Sequence, residues 1–343
     1  MVFNITCNTD NNYAQHCCAM LCSLFDNNKE HTLIVHVLTK NLSEINKSAI
    51  HKLGKTYSQD IIFYEVDETN LEGVQFRKNR PLTKAAYYRI LLPTILPQDI
   101  DKVLYIDCDM IILSDISDLF KINISSYALA ACKDVMPYNS LHRKQLNFEM
   151  TDTSFCSGIM MINLKYWRDN NSQEKLIEFS KKPRQPIYLH GQDALNYLFK
   201  KNWFSLSPVW NKTTMAIAPL NNTCKFNDCY DYMYHPKILH YASELKPWYN
   251  ISFPQSNYYR YYLKLSEYPD PTFIKLSTKK YFLSKIKCVR YYLNAYIRPI
   301  IPTFIELILF DIFNLSKILL FFATGKTSKL KAHLLSIWLL KNK

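Results

Sequence analysis

Glycine is scarce in this chain, with five in 343 residues. No G-x-G-x-x-G follows the first apolar run. An ordinary dinucleotide-binding turn is therefore disfavoured, and any bound phosphate must be met by cations or a metal. None of the ten cysteines forms a C-x-x-C pair, which removes the usual spacing of a structural zinc site. Cys17, Cys18 and Cys22 fall in a helix-like stretch, and Cys108, Cys132 and Cys156 in apolar, strand-like runs. That distribution predicts buried free thiols in a reducing cytosol. No charged n-region and apolar h-region precede Met1-Val2-Phe3-Asn4-Ile5, which already has a strand pattern, so no signal peptide is expected. The Asn-x-Ser/Thr matches at Asn4 and Asn250 are then no more than Asn-rich composition. Acids nearly vanish after residue 270. Residues 271–343 hold 13 Lys and Arg against Glu306 and Asp311, so +11 of the formal +13 lies there.

A chain of this length can bury a full core as one large α/β domain with an appendage. Strands are expected at 2–7, 32–38 and 60–66, with a helix at about 14–26 and another opening at Ser43. This βαβαβ order predicts a doubly wound sheet. Pro81 suits the first turn of a further helix that runs to about Leu92 and carries Arg89. A short helix is expected at Ser117–Phe120, a strand at Ala128–Cys132, and a long polar and aromatic loop over 135–155. Phe155–Leu164 has the pattern of another buried strand. His190-Gly191-Gln192-Asp193 then opens a helix over 192–201, with Asp193 near its positive end. Ile238–Tyr241 is a last short strand before Lys246-Pro247-Trp248.

The stretch Lys102–Ile112 is apolar and β-branched but holds two acids, Asp107 and Asp109. As one extended strand it places them on the same side, where they converge. Buried charge costs several kcal/mol per ion unless neutralised, roughly. Two such carboxylates offer hard oxygen ligands to Mg²⁺ or Mn²⁺, or else they cap nearby amides. The polar turn after the first strand is where open α/β sheets bind ligands. Asn8, Thr9, Asp10, Asn12 and Tyr13 are its candidates: an aromatic face for a base, and Asp or Asn for the base edge. Asp10 equally suits a helix cap, and Tyr13 a core aromatic. Arg89 is a surface helix charge or a ligand aimed at the site. An isolated strand histidine such as His240 is commonly a satisfied core residue, but its spacing to Lys246-Pro247-Trp248 raises it.

Thr9-Asp10-Asn11-Asn12-Tyr13, Asp107-Cys108-Asp109, Phe155 to Leu164, Gly191-Gln192-Asp193 and His240 to Trp248 occur in that order. Over roughly residues 1–250 the set resembles glycosyltransferase family 8, in particular its bacterial lipopolysaccharide galactosyl- and glucosyltransferases. The resemblance implies a GT-A fold, a Rossmann-like α/β nucleotide-diphospho-sugar transferase domain over 1–270. It implies a UDP-galactose or UDP-glucose donor, Mn²⁺ (or Mg²⁺), and retaining hexosyl transfer to a lipopolysaccharide core or another lipid-linked glycan. Asp107, Asp109 and His240 would hold the metal. Asp10 and Tyr13 would bind the uracil within the Asn8, Thr9 and Asn12 turn, and Lys246 would meet the diphosphate. Arg89 and Asp134 would contact the sugar. Gln192 would lie near the anomeric carbon, with Asp193 assisting electrostatically. Three positions depart from the family pattern. Gly191 stands for the usual Asp of Asp-Gln-Asp, Cys156 for the Asn of Phe-Asn-x-Gly, and Ser243 for the Gly of His-x-x-Gly. The departures touch the sugar subsite, and the alternative they leave open is a weakened homologue that binds nucleotide sugar or glycan.

The tail, 271–343, alternates Lys and Arg with Tyr, Phe and Leu. Within it Ile300–Ala323 is strongly apolar but contains Glu306, Asp311 and Lys317. Those charges argue against a spanning helix and for an amphipathic one lying among anionic headgroups. Packing on the protein's own surface is the alternative. No RRM, KH or helix-turn-helix pattern accompanies the basic tail, so nucleic acid is not expected. The expected place is cytoplasmic, peripheral on the inner membrane.

Overall fold

The computed structural model describes residues 2–75, 84–135, 138–183, 187–214, 231–243, 245–249 and 254–292. The chain opens with β1 (Val2–Asn8), α1 (Ala14–Asp26), β2 (Thr32–Thr39), α2 (Glu44–Thr56) and β3 (Asp60–Glu65). β1 pairs in parallel with β2, and β2 with β3. Ser43 caps α2 by accepting from the Asn46 amide, with Glu44 in the first turn. Lys84–Leu91 is a 3-10 helix and α3 covers Leu92–Ile95, so the segment expected as one α-helix to Leu92 is wound more tightly and ends later. Pro81 lies outside the described residues.

Next come β4 (Lys102–Ile106), β5 (Met110–Ile112), α4 (Ser117–Lys121), β6 (Leu129–Lys133), α5 (Ser140–Gln145) and β7 (Phe155–Asn163). The expected loop over 135–155 thus contains a helix, α5, started by the Asn139 carboxamide oxygen accepting from the His142 amide at 2.9 Å. After α6 (Leu164–Asp169) and α7 (Ser172–Lys181) comes α8, which spans Gly191–Phe199 rather than 192–201. β8 (Trp203–Leu206), β9 (Lys212–Thr213) and β10 (Ile238–His240) complete the strands.

The main sheet runs β3-β2-β1-β4-β7-β6-β8, and a small sheet runs β5-β10-β9. Its strands are parallel from β3 to β4; β7 is antiparallel to both β4 and β6, and β8 is parallel to β6. Side chains alternate across the main sheet as a period of two requires. Leu104, Ile106, Ile159 and Met161 pack in the layer with α1, while Val103, Tyr105, Met160 and Ile162 pack with Trp167, Leu195 and Phe199. The result is a three-layer α/β/α domain of the GT-A kind.

Lys102–Ile112 is therefore not one strand. The chain leaves the main sheet after Ile106 and joins the small sheet at Met110, turning at Asp107-Cys108-Asp109. A continuous strand would have carried both carboxylates between packed layers, at a cost of several kcal/mol each, roughly. The break puts them where the two sheets meet.

Packing on this domain continues past residue 270. The helix Ser256–Leu265 lies against α1, with the Tyr259 hydroxyl 2.6 Å from His16 Nδ1. Gln15 holds Thr272 through both its N–H and its carbonyl, each at 2.9 Å. In the helix Thr278–Tyr292, Cys288 is buried in the same core. Among the described residues no helix is long and apolar enough to cross a membrane. The apolar segment 300–323 and the basic end of the tail lie outside the described residues.

Candidate active site

β10 pairs with β5 so that His240 lies opposite Met110, the residue after the D-x-D turn. One ligand atom each from Asp107, Asp109 and His240 lies within 4.8 Å of the others. His240 Nε2 is 3.3 Å from Asp109 Oδ1, while its Nδ1 faces the Asn211 carboxamide oxygen at 2.9 Å. Asn211 thus fixes the ring and leaves Nε2 aimed at the acids, the outer support a metal-binding imidazole needs. It lies just before β9, and nothing in the sequence singled it out.

The floor beneath these groups is Gly158. A Cβ there would sit 2.5 Å from His240 Cε1, 2.7 Å from Met110 Cε and 3.1 Å from Asp107 Oδ2. The Asp107 amide donates to the Gly158 carbonyl at 2.8 Å, so the strand cannot draw back. Two carboxylates and one imidazole over a floor that only glycine leaves open suit a hard divalent ion such as Mg²⁺ or Mn²⁺.

Two cations flank the acids. Lys246 Nζ donates to Asp109 Oδ2 at 2.7 Å and to the Tyr241 carbonyl at 2.7 Å. Arg89 donates to Asp107 Oδ1 at 2.8 Å and to the Ser157 carbonyl at 2.7 Å, with its guanidinium over the Tyr105 ring. It is buried, so the surface-charge alternative for Arg89 does not hold. Burial opposes ionisation of Asp109, but Lys246 and His240 outweigh it and hold the carboxyl far below its usual range. Burial likewise disfavours charge on His240, yet Asp109 prevails and pushes it up to about 10.

The remaining candidates divide. Asp10 Oδ1 accepts from the amides of Asn12 and Tyr13 at 2.9 and 3.0 Å, so it shapes the turn that opens α1. Thr9 is buried, its amide donating to the Leu38 carbonyl at 3.0 Å. Asn8 donates to the Tyr105 hydroxyl at 2.9 Å and to the Ala85 carbonyl at 3.0 Å, and Tyr105 in turn donates to Asp107 Oδ1 at 2.5 Å. Asn8 therefore braces Asp107 from below. Tyr13 meets Trp248 edge-on, and Trp248 stacks on His16 at 3.5 Å. Burial lowers His16 to about 3, which keeps the ring neutral to accept from Tyr259. Lys246 lies 5.6 Å from the Trp248 ring, which links this aromatic wall to the acids.

Gln192 lies on the other side, held at every polar atom. Its Oε1 accepts from the Ser157 amide at 2.9 Å and from the Ser157 hydroxyl at 3.2 Å. Its Nε2 donates to Asp134 Oδ2 at 2.7 Å and to the Tyr138 hydroxyl at 3.1 Å. Asp193 is 1% exposed, with Oδ1 2.7 Å from His142 Nε2 and Oδ2 accepting from the Leu189 amide. Its carboxylate is held inside the protein, one residue along α8 from Gln192. A Cβ at Gly191 would meet the Ala86 carbonyl at 3.2 Å, so α8 starts tight against the 3-10 helix. Cys156 Sγ lies 3.8 Å from His240 Nδ1.

A family model described as glycosyl transferase family 8 matches residues 4–252. The chain is 32% identical over 278 residues to general stress protein A of Bacillus subtilis, covering 78% of this chain and 95% of that protein. It is 25% identical over 269 residues to a lipopolysaccharide 1,3-galactosyltransferase of Salmonella typhimurium, covering 75% and 76%. Among known structures it resembles the galactosyltransferase LgtC in complex with donor and acceptor sugar analogues. There the TM-score is 0.69 at 22% identity, covering 77% of this chain and 96% of that one.

Proposed function

The chain belongs to glycosyltransferase family 8, and from that premise we propose that it moves galactose or glucose from a UDP-sugar to a saccharide acceptor. The observation that carries the proposal is the convergence of Asp107, Asp109 and His240 over Gly158, with Lys246 and Arg89 at their flanks. Mn²⁺ or Mg²⁺ is the ion this donor set fits, and when bound it supplies Lewis-acid neutralisation of a departing diphosphate.

The protein's own groups then act as follows. Lys246 swings from Asp109 to the diphosphate, adding a fixed positive charge where negative charge develops. The turn at Asp10–Tyr13, closed by the Trp248 wall, receives the uracil. Arg89 and Asp134 border the sugar. Gln192 Oε1 is occupied by two donors from Ser157, which makes an already weak amide nucleophile weaker. That supports front-face substitution with retention over a covalent glycosyl intermediate. The acceptor we assign is a lipopolysaccharide core or another lipid-linked glycan. The excess of +11 in residues 271–343 supports peripheral attachment to the cytoplasmic face of an anionic membrane.

A screen of UDP-sugars for UDP release, with and without EDTA, tests the reading. Wild type turns over at least one donor, and both EDTA and Asp109→Ala abolish it. Tight UDP binding with no turnover of any donor would instead favour the weakened-homologue alternative, for which Gly191 and Cys156 are the motivating residues.

A further inference from the structure

We propose that His142 is a positioning residue that fixes the working orientation of Gln192, acting through Asp193 and Tyr138; the inference rests on the transferase reading above. His142 is 3% exposed and sits in the first turn of α5, the helix inside the segment expected to be a loop. Its Nε2 faces Asp193 Oδ1 at 2.7 Å, and because a carboxylate only accepts, Nε2 carries the hydrogen. The ring lies between two tyrosines, stacked on Tyr138 at 3.9 Å and 17° and on Tyr188 at 4.2 Å and 19°. Two rings nearly parallel to a third occupy its two faces, so the imidazole cannot tilt.

Two of these three neighbours of His142, Asp193 and Tyr138, lead to Gln192. Asp193 is the next residue along α8, and its second oxygen holds the Leu189 amide, which ties down the chain entering the helix. Tyr138, held flat against His142, places its hydroxyl on Gln192 Nε2. The network continues from Gln192 to Ser157, from the Ser157 carbonyl to Arg89, and from Arg89 to Asp107. A carboxamide can rotate freely about its last bond unless its oxygen and nitrogen are told apart by their partners. Here Ser157 marks the oxygen, while Asp134 and Tyr138 mark the nitrogen. Without His142, Tyr138 loses the surface that orients it and the buried Asp193 Oδ1 loses the N–H it accepts, while Oδ2 keeps the Leu189 amide, a loss polar interiors tolerate poorly.

Three variants separate the parts. His142→Phe keeps a flat ring but removes the donor; His142→Gln keeps an N–H at similar reach; Tyr138→Phe removes only the hydroxyl. In UDP-sugar turnover, His142→Phe lowers kcat by about tenfold, the size of one hydrogen bond to a charged group. KM for the donor and the Kd of UDP with Mn²⁺ stay within about twofold, because the nucleotide wall lies elsewhere. His142→Gln, which keeps the N–H but loses the stacked ring, restores only the part of kcat that runs through Asp193, and adding His142→Phe to Gln192→Ala changes nothing further. Losses that multiply in the double variant, or a UDP Kd that weakens in step with kcat, would overturn the proposal. A second readout needs no turnover. The Gln192 side-chain amide resonance, assigned by its disappearance in Gln192→Ala, shifts in Tyr138→Phe, which removes its partner, and in both His142 variants, since His142→Phe breaks the bond to Asp193 and His142→Gln the stack on Tyr138. An unmoved resonance refutes the positioning role. A moved resonance in a protein that turns over no UDP-sugar refutes the transferase reading instead.

Discussion

Replacing Gly158 with alanine adds one methyl group to the floor of the acidic cleft. That methyl would begin 2.5 Å from His240 Cε1, 2.7 Å from Met110 Cε and 3.1 Å from Asp107 Oδ2. Met110 can yield, because its contact is the end of a flexible side chain. His240 cannot, because Asn211 grips Nδ1 and the ring is buried. Relief requires the imidazole to move about 1 Å to reach van der Waals contact, whereas a metal site tolerates about 0.2 Å in its ligand distances. Overpacking of this kind costs about 1–3 kcal/mol of stability, which lowers Tm by a few degrees in a chain of this size, roughly. The loss of Mn²⁺ affinity should be larger in effect, about 10–100-fold, as when the support of a metal ligand is removed. Manganese titration followed by the EPR signal of the free ion measures it directly, with Tm as the control. A Gly158→Ala protein that folds and binds Mn²⁺ as tightly as wild type would show that Asp107, Asp109 and His240 do not share an ion.

Four further outcomes follow from the same geometry. Because Asp109 raises His240 to about 10, an ion can bind only as the imidazolium gives up its proton; Mg²⁺ affinity therefore rises with pH between 7 and 9, and calorimetry in buffers of different ionisation heat detects about one proton released per ion. Acid stability follows the rings whose pKa moves the other way from that of His240: burial lowers His16 to about 3 and His36 to about 4, so the unfolded chain binds protons that the fold refuses. The unfolding free energy from urea titrations should fall as pH drops from 6.5 to 4.5, by at most about 1.4 kcal/mol per pH unit for each proton taken up, and a flat profile would mean that these rings are charged in the fold. Trp248→Ala removes the ring stacked on His16 and should cost about 3–5 kcal/mol in denaturant unfolding, together with UDP affinity. Truncation after Tyr292 should leave turnover of a small acceptor intact while abolishing co-sedimentation with anionic vesicles; truncation before Thr272 should also destabilise the domain, since it strips the Gln15 bonds and Cys288.

The parts of the site legible in the sequence were those in which a residue type and its spacing already imply chemistry. Asp107 and Asp109 announced themselves as acids in an apolar run, and His240 by its distance to Lys246. The outlines of β1, α1, β2, α2 and β7 followed from hydrophobic period and capping residues, because those depend on neighbours within a turn or a strand. Local pattern failed at 102–112 and at 135–155. In the first, an unbroken apolar run hid the switch between two sheets, since both halves are strands and only their partners differ. In the second, a helix of six residues is too short for its period to register.

Sequence alone determined which groups this protein can bring to bear: paired carboxylates, an imidazole, an amide, two cations, and a basic end. Only the tertiary structure decided how they are joined. Lys246 meets Asp109 from 137 positions away, Arg89 rather than solvent answers Asp107, and His142 claims Asp193. Pairings of that kind depend on the register between β5 and β10 and on the layers packed across the main sheet. No local propensity encodes them, because each partner is supplied by a segment far away in the chain.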